Sequence, residues 1–222
     1  MILLRHSYVK NDLKRDQSHV RYIAFRTREN REDTRGVFNA LHDHADVKTF
    51  INNLNDRITR HPRSPKLHRI YVSLSQDEYN KLMQPDYKDI VRRAMAEFER
   101  RKGIKLEWVA AEHYARGHPH VHIAIKATCT DLSGAKHRLL LRYDDIKMLR
   151  SCFDREVDRY RDHLREAVEK AVREIIPAML DAKRPHQTHL RNNKLEVEKV
   201  TGTGFSLVDA VLGIEHDHGE ER

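Results

Sequence analysis

The sequence is poor in cysteine, since Cys129 and Cys152 are the only two among 222 residues. Two cysteines cannot build the disulfide framework of a small secreted protein, so we expect a reducing, cytoplasmic environment. Long apolar runs are also lacking, because no stretch approaches the roughly 20 residues that a membrane-spanning helix needs. Arg5 and His6 interrupt the apolar start of the chain, and we expect no secretory leader there. The sequence therefore predicts no direct membrane insertion.

Glycine and proline are sparse as well, with 8 and 6 residues, and no long linker, internal repeat or low-complexity tract divides the chain. A length of 222 residues fits one domain that can bury a core around a central sheet. We predict a folded domain over residues 1–183. A polar C-terminal extension, partly helical or disordered, is predicted over residues 184–222.

Charge is abundant and unbalanced. Lysine and arginine number 42 against 34 acidic residues, which gives a net charge of +8, and the sequence pI is near 9.5. Such a balance favours a polyanionic partner, with nucleic acid first among the classes. Charge alone supports a soluble basic protein equally well.

Hydrophobic periodicity predicts strands interleaved with long helices. The expected strands are residues 1–9, 68–74, 105–114, 119–126 and 137–141. The expected helical segments are residues 17–28, 36–59, 76–84, 86–102 and 144–183, the last one broken or kinked near Pro177. This order indicates an α+β fold with a central antiparallel β-sheet, flanking helices over one face and a long C-terminal helical segment.

Histidines are concentrated in one short stretch, where four of the 16 fall within ten residues. If Arg116-Gly117 forms the tip of a two-residue hairpin, His113 lies directly across from His120. His122 then follows two residues along on the same face. Three imidazoles can converge on one ion in this arrangement, although a three-residue loop would turn His113 toward the core.

Three protein ligands leave coordination positions open, which is typical of a catalytic metal site and not of a closed structural one. Imidazole binds several divalent ions, so the ligand set does not select the metal. Two alternatives remain at this point: histidines that only form hydrogen bonds, and a nucleic-acid-binding protein without catalysis whose histidines hold a structural metal or none.

The run His118-Pro119-His120-Val121-His122, with His113 seven residues before His120, resembles the motif of HUH endonucleases, specifically the relaxases or mobilisation proteins of conjugative transfer. The resemblance covers roughly residues 1–165. It implies an HUH, palm-like sheet and strand-specific DNA nicking and rejoining through a covalent 5′-phosphotyrosine. Implied partners are single-stranded DNA at an origin of transfer and accessory relaxosome proteins.

The same resemblance implies a role for each site residue. Tyr22 is the implied nucleophile, and His113, His120 and His122 are the implied ligands of a magnesium or manganese ion. Many relaxases carry an acidic residue two positions after the first histidine, where this chain has Ala115. Residues that orient the ligands are therefore expected elsewhere, with His118, Glu112 and Glu107 as candidates.

Other tyrosines compete with Tyr22 for the role of nucleophile. Tyr22 has His19 and Arg26 as helix neighbours, a cationic setting suited to a phosphate. Tyr8 is the second candidate because it lies on the expected first strand. Tyr160 is the third, since replication initiators and transposases of the same superfamily place the tyrosine on a late helix. His163 stands where those families have a lysine, which weakens that match.

Basic side chains near these segments are candidates for DNA contacts. Each of them fits a solvated surface charge equally well. The predicted DNA-binding set is Arg21, Arg26, Arg28, Arg63 and Lys66, with Arg60 and Arg69 as further candidates in the same segments.

Overall fold

A computed structural model describes residues 2–25, 36–83, 85–115 and 118–182, with side chains in these ranges except at positions 115, 118 and 175–182. Its strands are β1 Leu3–Lys10, β2 Pro65–Ser73, β3 Ile104–Ala115, β4 His118–Asp131 and β5 Lys136–Arg138. Its α-helices are α1 Leu13–Phe25, α2 Val47–Asn52, α3 Gln76–Lys81, α4 Tyr87–Lys102 and α5 Tyr143–Ala182. A short 3-10 helix spans Arg57–Thr59.

The strands form one antiparallel sheet in the order β1-β2-β4-β3, and the short β5 pairs with β4. Alternate residues of strand β4 belong to different cores, as expected for a sheet that is covered on both faces. Its odd-numbered residues Val121, Ile123 and Ile125 are fully buried in one core cluster, and Ala124 belongs to the other. The predicted α+β fold with a central antiparallel sheet is confirmed.

Helices cover both faces of this sheet, and not one face as the sequence predicted. On one face, α4 and α5 pack through residues such as Met95, Phe98 and Phe153 against the apolar side of β4. On the other face, α1 and α2 form a second, smaller core with Ala111 and Ala124. The amphipathic patterns of the helices could not reveal this division, because both groups of helices bury an apolar stripe of the same kind.

Helix ends follow the expected capping chemistry. The Ser75 hydroxyl accepts from the Glu78 backbone N–H at the start of α3, and the Asp86 carboxylate accepts from Lys88 N–H at the start of α4. Helix α4 ends at Gly103, whose φ of 65° is the left-handed cap that glycine adopts without strain. Pro85 separates the two helices as predicted.

Two predicted elements are different in the structure. Residues 36–59 are helical only at α2 and in one 3-10 turn, because Phe38 forms a backbone bridge with Ala110 and extends the sheet instead. Helix α5 continues as one helix of 40 residues through Pro177, where a break or kink was expected, so the helix is not broken there. Among the described residues, no helix combines the length and apolarity needed to cross a membrane.

Candidate functional site

The β3–β4 hairpin brings three histidines to one face of the sheet. His113 pairs directly with His120, and His122 pairs with Ala111, which is the predicted register. The three ring centroids are 4.9 to 5.2 Å apart. One nitrogen from each ring lies within 4.8 Å of the others. We call His113, His120 and His122 the histidine cluster.

Helix α1 lies against this cluster. His113 Nε2 is 3.2 Å from the carbonyl oxygen of Ile23, a hydrogen bond in which the ring N–H donates. A neutral imidazole that donates through Nε2 carries its lone pair on Nδ1. Nδ1 of His113 is therefore the nitrogen that could bind a metal, and the bond to the helix fixes the orientation of the ring.

His19 extends the group of imidazoles from the helix side. Its ring centroid is 6.2 Å from that of His122, in an edge-on arrangement. Burial, followed by the positive charge of Arg69, lowers the pKa of His19 to about 4. The imidazole is therefore neutral at physiological pH and adds no positive charge beside a bound cation.

Tyr22 lies on the same turn of α1. It stands between His19, which contacts the cluster, and Ile23, whose carbonyl oxygen binds His113. Its neighbours Val20 and Ile23 are fully buried, whereas the Tyr22 side chain is 51 % exposed. The helix thus fixes the backbone of Tyr22 against the sheet and leaves its ring accessible to a large substrate.

A buried ion pair anchors the beginning of α1. The Asp16 side chain is 0 % exposed, and its Oδ1 lies 2.6 Å from Nη2 of Arg69 on β2. Burial raises the pKa of Asp16, while the bond and charge of Arg69 act in the opposite direction. Arg69 was a predicted DNA contact; the structure shows its guanidinium bound to Asp16.

Tyr71 was missed by the sequence analysis. It pairs with His122 across β2 and β4, and its ring centroid lies 4.9 Å from that of His120 and 5.5 Å from that of His122. Its position on the face of the cluster follows from the β2–β4 register, which joins residues about 50 positions apart in sequence.

The three imidazoles fit a divalent ion. They are neutral-nitrogen donors on two adjacent strands, the His113 ring is oriented by a carbonyl oxygen, and two of the three side chains are buried. With three ligands from the protein, coordination positions remain for a substrate or water. The arrangement can therefore hold a metal that acts on a bound substrate.

A family model for the nuclease domain of MobA/VirD2-like relaxases matches residues 8–161, which is more than half of the chain. The chain belongs to this family. It is thus a DNA relaxase, and the resemblance of its histidine motif to that of relaxases is confirmed. Comparison with curated protein sequences found no match.

Solved structures of the conjugative relaxase TrwC share the fold. A copper-bound TrwC complex with oriT DNA is 16 % identical, with a TM-score of 0.50 over 73 % of this chain and 71 % of that one. A metal-bound complex is 16 % identical, with a TM-score of 0.47 over 73 % and 70 %. A metal-free complex is 14 % identical, with a TM-score of 0.48 over the same shares.

The competing tyrosines of this relaxase lie on the other side of the sheet. Tyr8 contacts His68, whose Nε2 lies 3.3 Å from the carbonyl oxygen of Leu139. Tyr160 on α5 packs against the core cluster that contains Val121. Alternate residues of a strand point to opposite faces, so both tyrosines are separated from the histidine cluster by the sheet.

Two predicted orienting residues do not reach the cluster. The Glu112 carboxylate accepts hydrogen bonds from Tyr87 N–H and from the Tyr114 hydroxyl, on the side of the sheet that α4 covers. Glu107 instead contacts Lys126. Glu112 lies on the opposite face from the cluster because neighbouring residues on a strand point to opposite faces. Glu107 lies six residues before His113, about 20 Å along β3, so its distance from the cluster separates the two. The side chain of His118 lies outside the described residues.

The predicted DNA-binding residues have different positions in the structure. Arg21 on α1 and Arg63 in the loop before β2 are exposed. Lys66 is only 4 % exposed and donates to the carbonyl oxygen of Thr59, so in this structure its ammonium group does not face the solvent. Arg26 and Arg28 lie outside the described residues.

Proposed function

We propose that this relaxase nicks one strand of DNA at an origin of transfer, with Tyr22 as nucleophile and His113, His120 and His122 as ligands of a magnesium or manganese ion. The observation that carries the proposal is the packing of the α1 turn bearing Tyr22 on three convergent imidazoles. A TrwC structure is described in complex with oriT DNA, which supports DNA at an origin of transfer as the partner. Accessory relaxosome proteins are part of the same proposal.

The proposed reaction exchanges one phosphoester bond for another. The Tyr22 oxygen forms a bond to phosphorus, the bond from phosphorus to the 3′ oxygen breaks, and the phenolic proton is lost while the 3′ oxygen gains a proton. The products are a 5′-phosphotyrosine and a free 3′ hydroxyl. Because no water is consumed, the reverse attack by a 3′ hydroxyl rejoins the strand.

A phenol with its ordinary pKa of about 10 is a weak nucleophile at neutral pH, so the attack needs assistance. A bound divalent ion supplies charge stabilisation at the oxygens of the scissile phosphate. The chain's own residues position the phosphate and the nucleophile. In this proposal the cluster fixes where the phosphate binds and α1 holds Tyr22 beside it. From the same helix, the neutral imidazole of His19 contacts His122.

The test is the covalent adduct itself. Labelled single-stranded oligonucleotides that tile an origin region are incubated with the full chain and Mg²⁺ or Mn²⁺, then separated on a denaturing gel. We expect Tyr22→Phe to abolish the adduct, and Tyr8→Phe and Tyr160→Phe, as matched controls, to keep it. Adduct formation by Tyr22→Phe together with its loss in Tyr160→Phe or Tyr8→Phe would overturn the assignment of the nucleophile.

Metal dependence is tested in the same assay. Treatment with EDTA should prevent adduct formation, and adding back Mg²⁺ or Mn²⁺ should restore it, since the three imidazoles retain their positions on the hairpin. Comparing the two ions over a range of concentrations identifies the one that the site uses. Full adduct formation in EDTA would contradict the proposed metal dependence.

A further inference from the structure

A row of three paired residues crosses the sheet beside the histidine cluster. Arg5 on β1 pairs directly with Tyr71 on β2, and Tyr71 pairs directly with His122 on β4. Directly paired residues of antiparallel strands point to the same face. The row therefore places a cation, an aromatic ring and a member of the cluster side by side on the face that carries the site.

This part of the face is open. Leu3 is 43 % exposed, Arg5 is exposed and Tyr71 is half-buried. Helix α1 covers the opposite part, where Ala111 and Ala124 are buried beneath it. Within the described ranges, the site is thus covered on the side of α1 and open across β2 and β1, and a long substrate can pass over the sheet in that direction.

The two side chains beyond the cluster have the chemistry that single-stranded nucleic acid requires. Tyr71 offers a ring on which an unpaired base can stack, and its own position is fixed by ring contacts of 4.9 and 5.5 Å with His120 and His122. Among the described residues, none forms a hydrogen bond or ion pair with the Arg5 guanidinium, which is therefore available to a phosphate.

The spacing of the row fits a strand that passes over it. Neighbouring strands are about 4.8 Å apart, so the backbones that carry Arg5 and His122 are separated by about 10 Å. A phosphate held at the cluster, a base stacked in the middle and a second phosphate at the edge strand fit within that distance, whereas a paired base in a duplex has no free face for stacking.

We propose that the DNA strand leaves the histidine cluster across β2 and β1, with one base stacked on Tyr71 and one backbone phosphate bound by Arg5. The proposal rests on the proposed function and specifies the path of its substrate. Tyr71 is a binding residue in this role, and no covalent step is assigned to it.

The test measures binding of a fluorescent oligo(dT) to the full chain in EDTA, where neither catalysis nor a bound metal contributes. The substitution Tyr71→Leu should weaken binding by about 5- to 150-fold, the range that corresponds to loss of one stacked base. Tyr71→Phe keeps the ring and should bind within about 2-fold of the parent chain. Tyr143→Leu, at an 80 % exposed tyrosine on α5, is the matched control and should have no effect.

The arginine is tested by salt dependence. Arg5→Gln should reduce the slope of log K against log salt concentration by about 0.7, as expected for one lost phosphate contact on a single strand. Arg173→Gln, at an exposed arginine of α5, is the matched control. An unchanged slope for Arg5→Gln would remove the second phosphate from the proposed path.

A crosslink supplies a readout that does not depend on a variant's folding. Oligonucleotides that carry 5-iodouracil should crosslink to Tyr71 of the unsubstituted chain, located by mass spectrometry of the peptides. Equal affinities for Tyr71→Leu and Tyr143→Leu, with no crosslink on β2, would overturn the proposal. If this happens while Tyr22 still forms the DNA adduct, only the proposed DNA path is wrong and the proposed function stands. If another tyrosine forms the adduct, the binding data for Tyr71 and Arg5 keep their meaning.

Discussion

His68 is a buried histidine on the face of the sheet opposite to the cluster. Its Nε2 donates to the Leu139 carbonyl oxygen, and its Nδ1 lies 3.0 Å from Nε2 of His6, so both hydrogen-bonding positions of the neutral ring are used. Burial, followed by the charge of His6, lowers the pKa of His68 to about 4 from 6.5. Protonation of His68 would add a second proton between its Nδ1 and Nε2 of His6, where one proton already forms the hydrogen bond.

This histidine should make the free energy of unfolding depend on pH. Below pH 6.5 the His68 imidazole is protonated in the unfolded chain, whereas in the folded chain it is protonated only below about pH 4. The free energy of unfolding therefore has its full value above pH 6.5 and decreases as the pH falls from 6.5 to 4. Between pH 7 and pH 5 the loss should be about 1–2 kcal/mol larger in the parent chain than in His68→Gln, as urea unfolding measures. His163→Gln, at an exposed position, should behave as the parent chain. Identical pH profiles for all three chains would contradict the assignment to His68.

His120 lies on β4, between β2 and β3, and its ring contacts both other histidines of the cluster. We expect His120→Ala to lower the affinity for Mn²⁺ by more than the about 10- to 100-fold that residues orienting a ligand contribute. Titration calorimetry measures this affinity against that of the parent chain. Retained Mn²⁺ affinity would show that the ion binds elsewhere.

At the scale of residues, the sequence predicted correctly the side chains that one hairpin brings together. The positions of His113, His120 and His122 follow from the length of a short loop, because pairing in a hairpin is fixed by the turn. Tyr71 and Asp16 could not be found in that way. Their neighbours in the site belong to segments about 50 residues away, and which strands pair across that separation is decided by the whole fold.

At the scale of elements, α1 is held by one ion pair as well as by its apolar stripe. We expect Asp16→Ala to destabilise the chain by about 3–5 kcal/mol, since it leaves the mostly buried Arg69 guanidinium without its partner. Urea unfolding measures this change. The double substitution Asp16→Leu with Arg69→Met should recover much of the loss, because an apolar pair carries no desolvation cost. Equal destabilisation by the single and double substitutions would contradict this account.

The helices and strands that the sequence predicted correctly have strong local determinants. Helix α4 has an aspartate at its beginning, a glycine after its end and an amphipathic pattern between them. The region of residues 36–59 was predicted as helix because its apolar residues occur at helical spacing. Phe38 and Val37 belong instead to two different cores, a placement that only the pairing of Phe38 with Ala110 explains.

At the scale of the whole molecule, the described site residues and both cores lie before the end of α5. Residues up to Ile175 form one compact unit. The boundary near residue 183 stays a prediction, and we expect a chain shortened after Lys183 to keep its melting temperature, its affinity for Mn²⁺ and its DNA adduct. Differential scanning calorimetry and the gel assay measure these quantities against the full chain. Loss of the melting transition would show that residues 184–222 belong to the folded domain.

One hydrogen bond, from His113 Nε2 to the Ile23 carbonyl oxygen, joins the sheet to the helix that carries Tyr22. If α1 shifts when the DNA strand is released, the imidazole of His113 must rotate or lose this hydrogen bond. A rotated imidazole binds a cation less well. Since coupling between two binding events is reciprocal, occupation of the cluster in turn favours the docked helix. The cation and the substrate strand should therefore strengthen each other's binding, so that the chain binds DNA more weakly in EDTA than in the presence of Mg²⁺ or Mn²⁺.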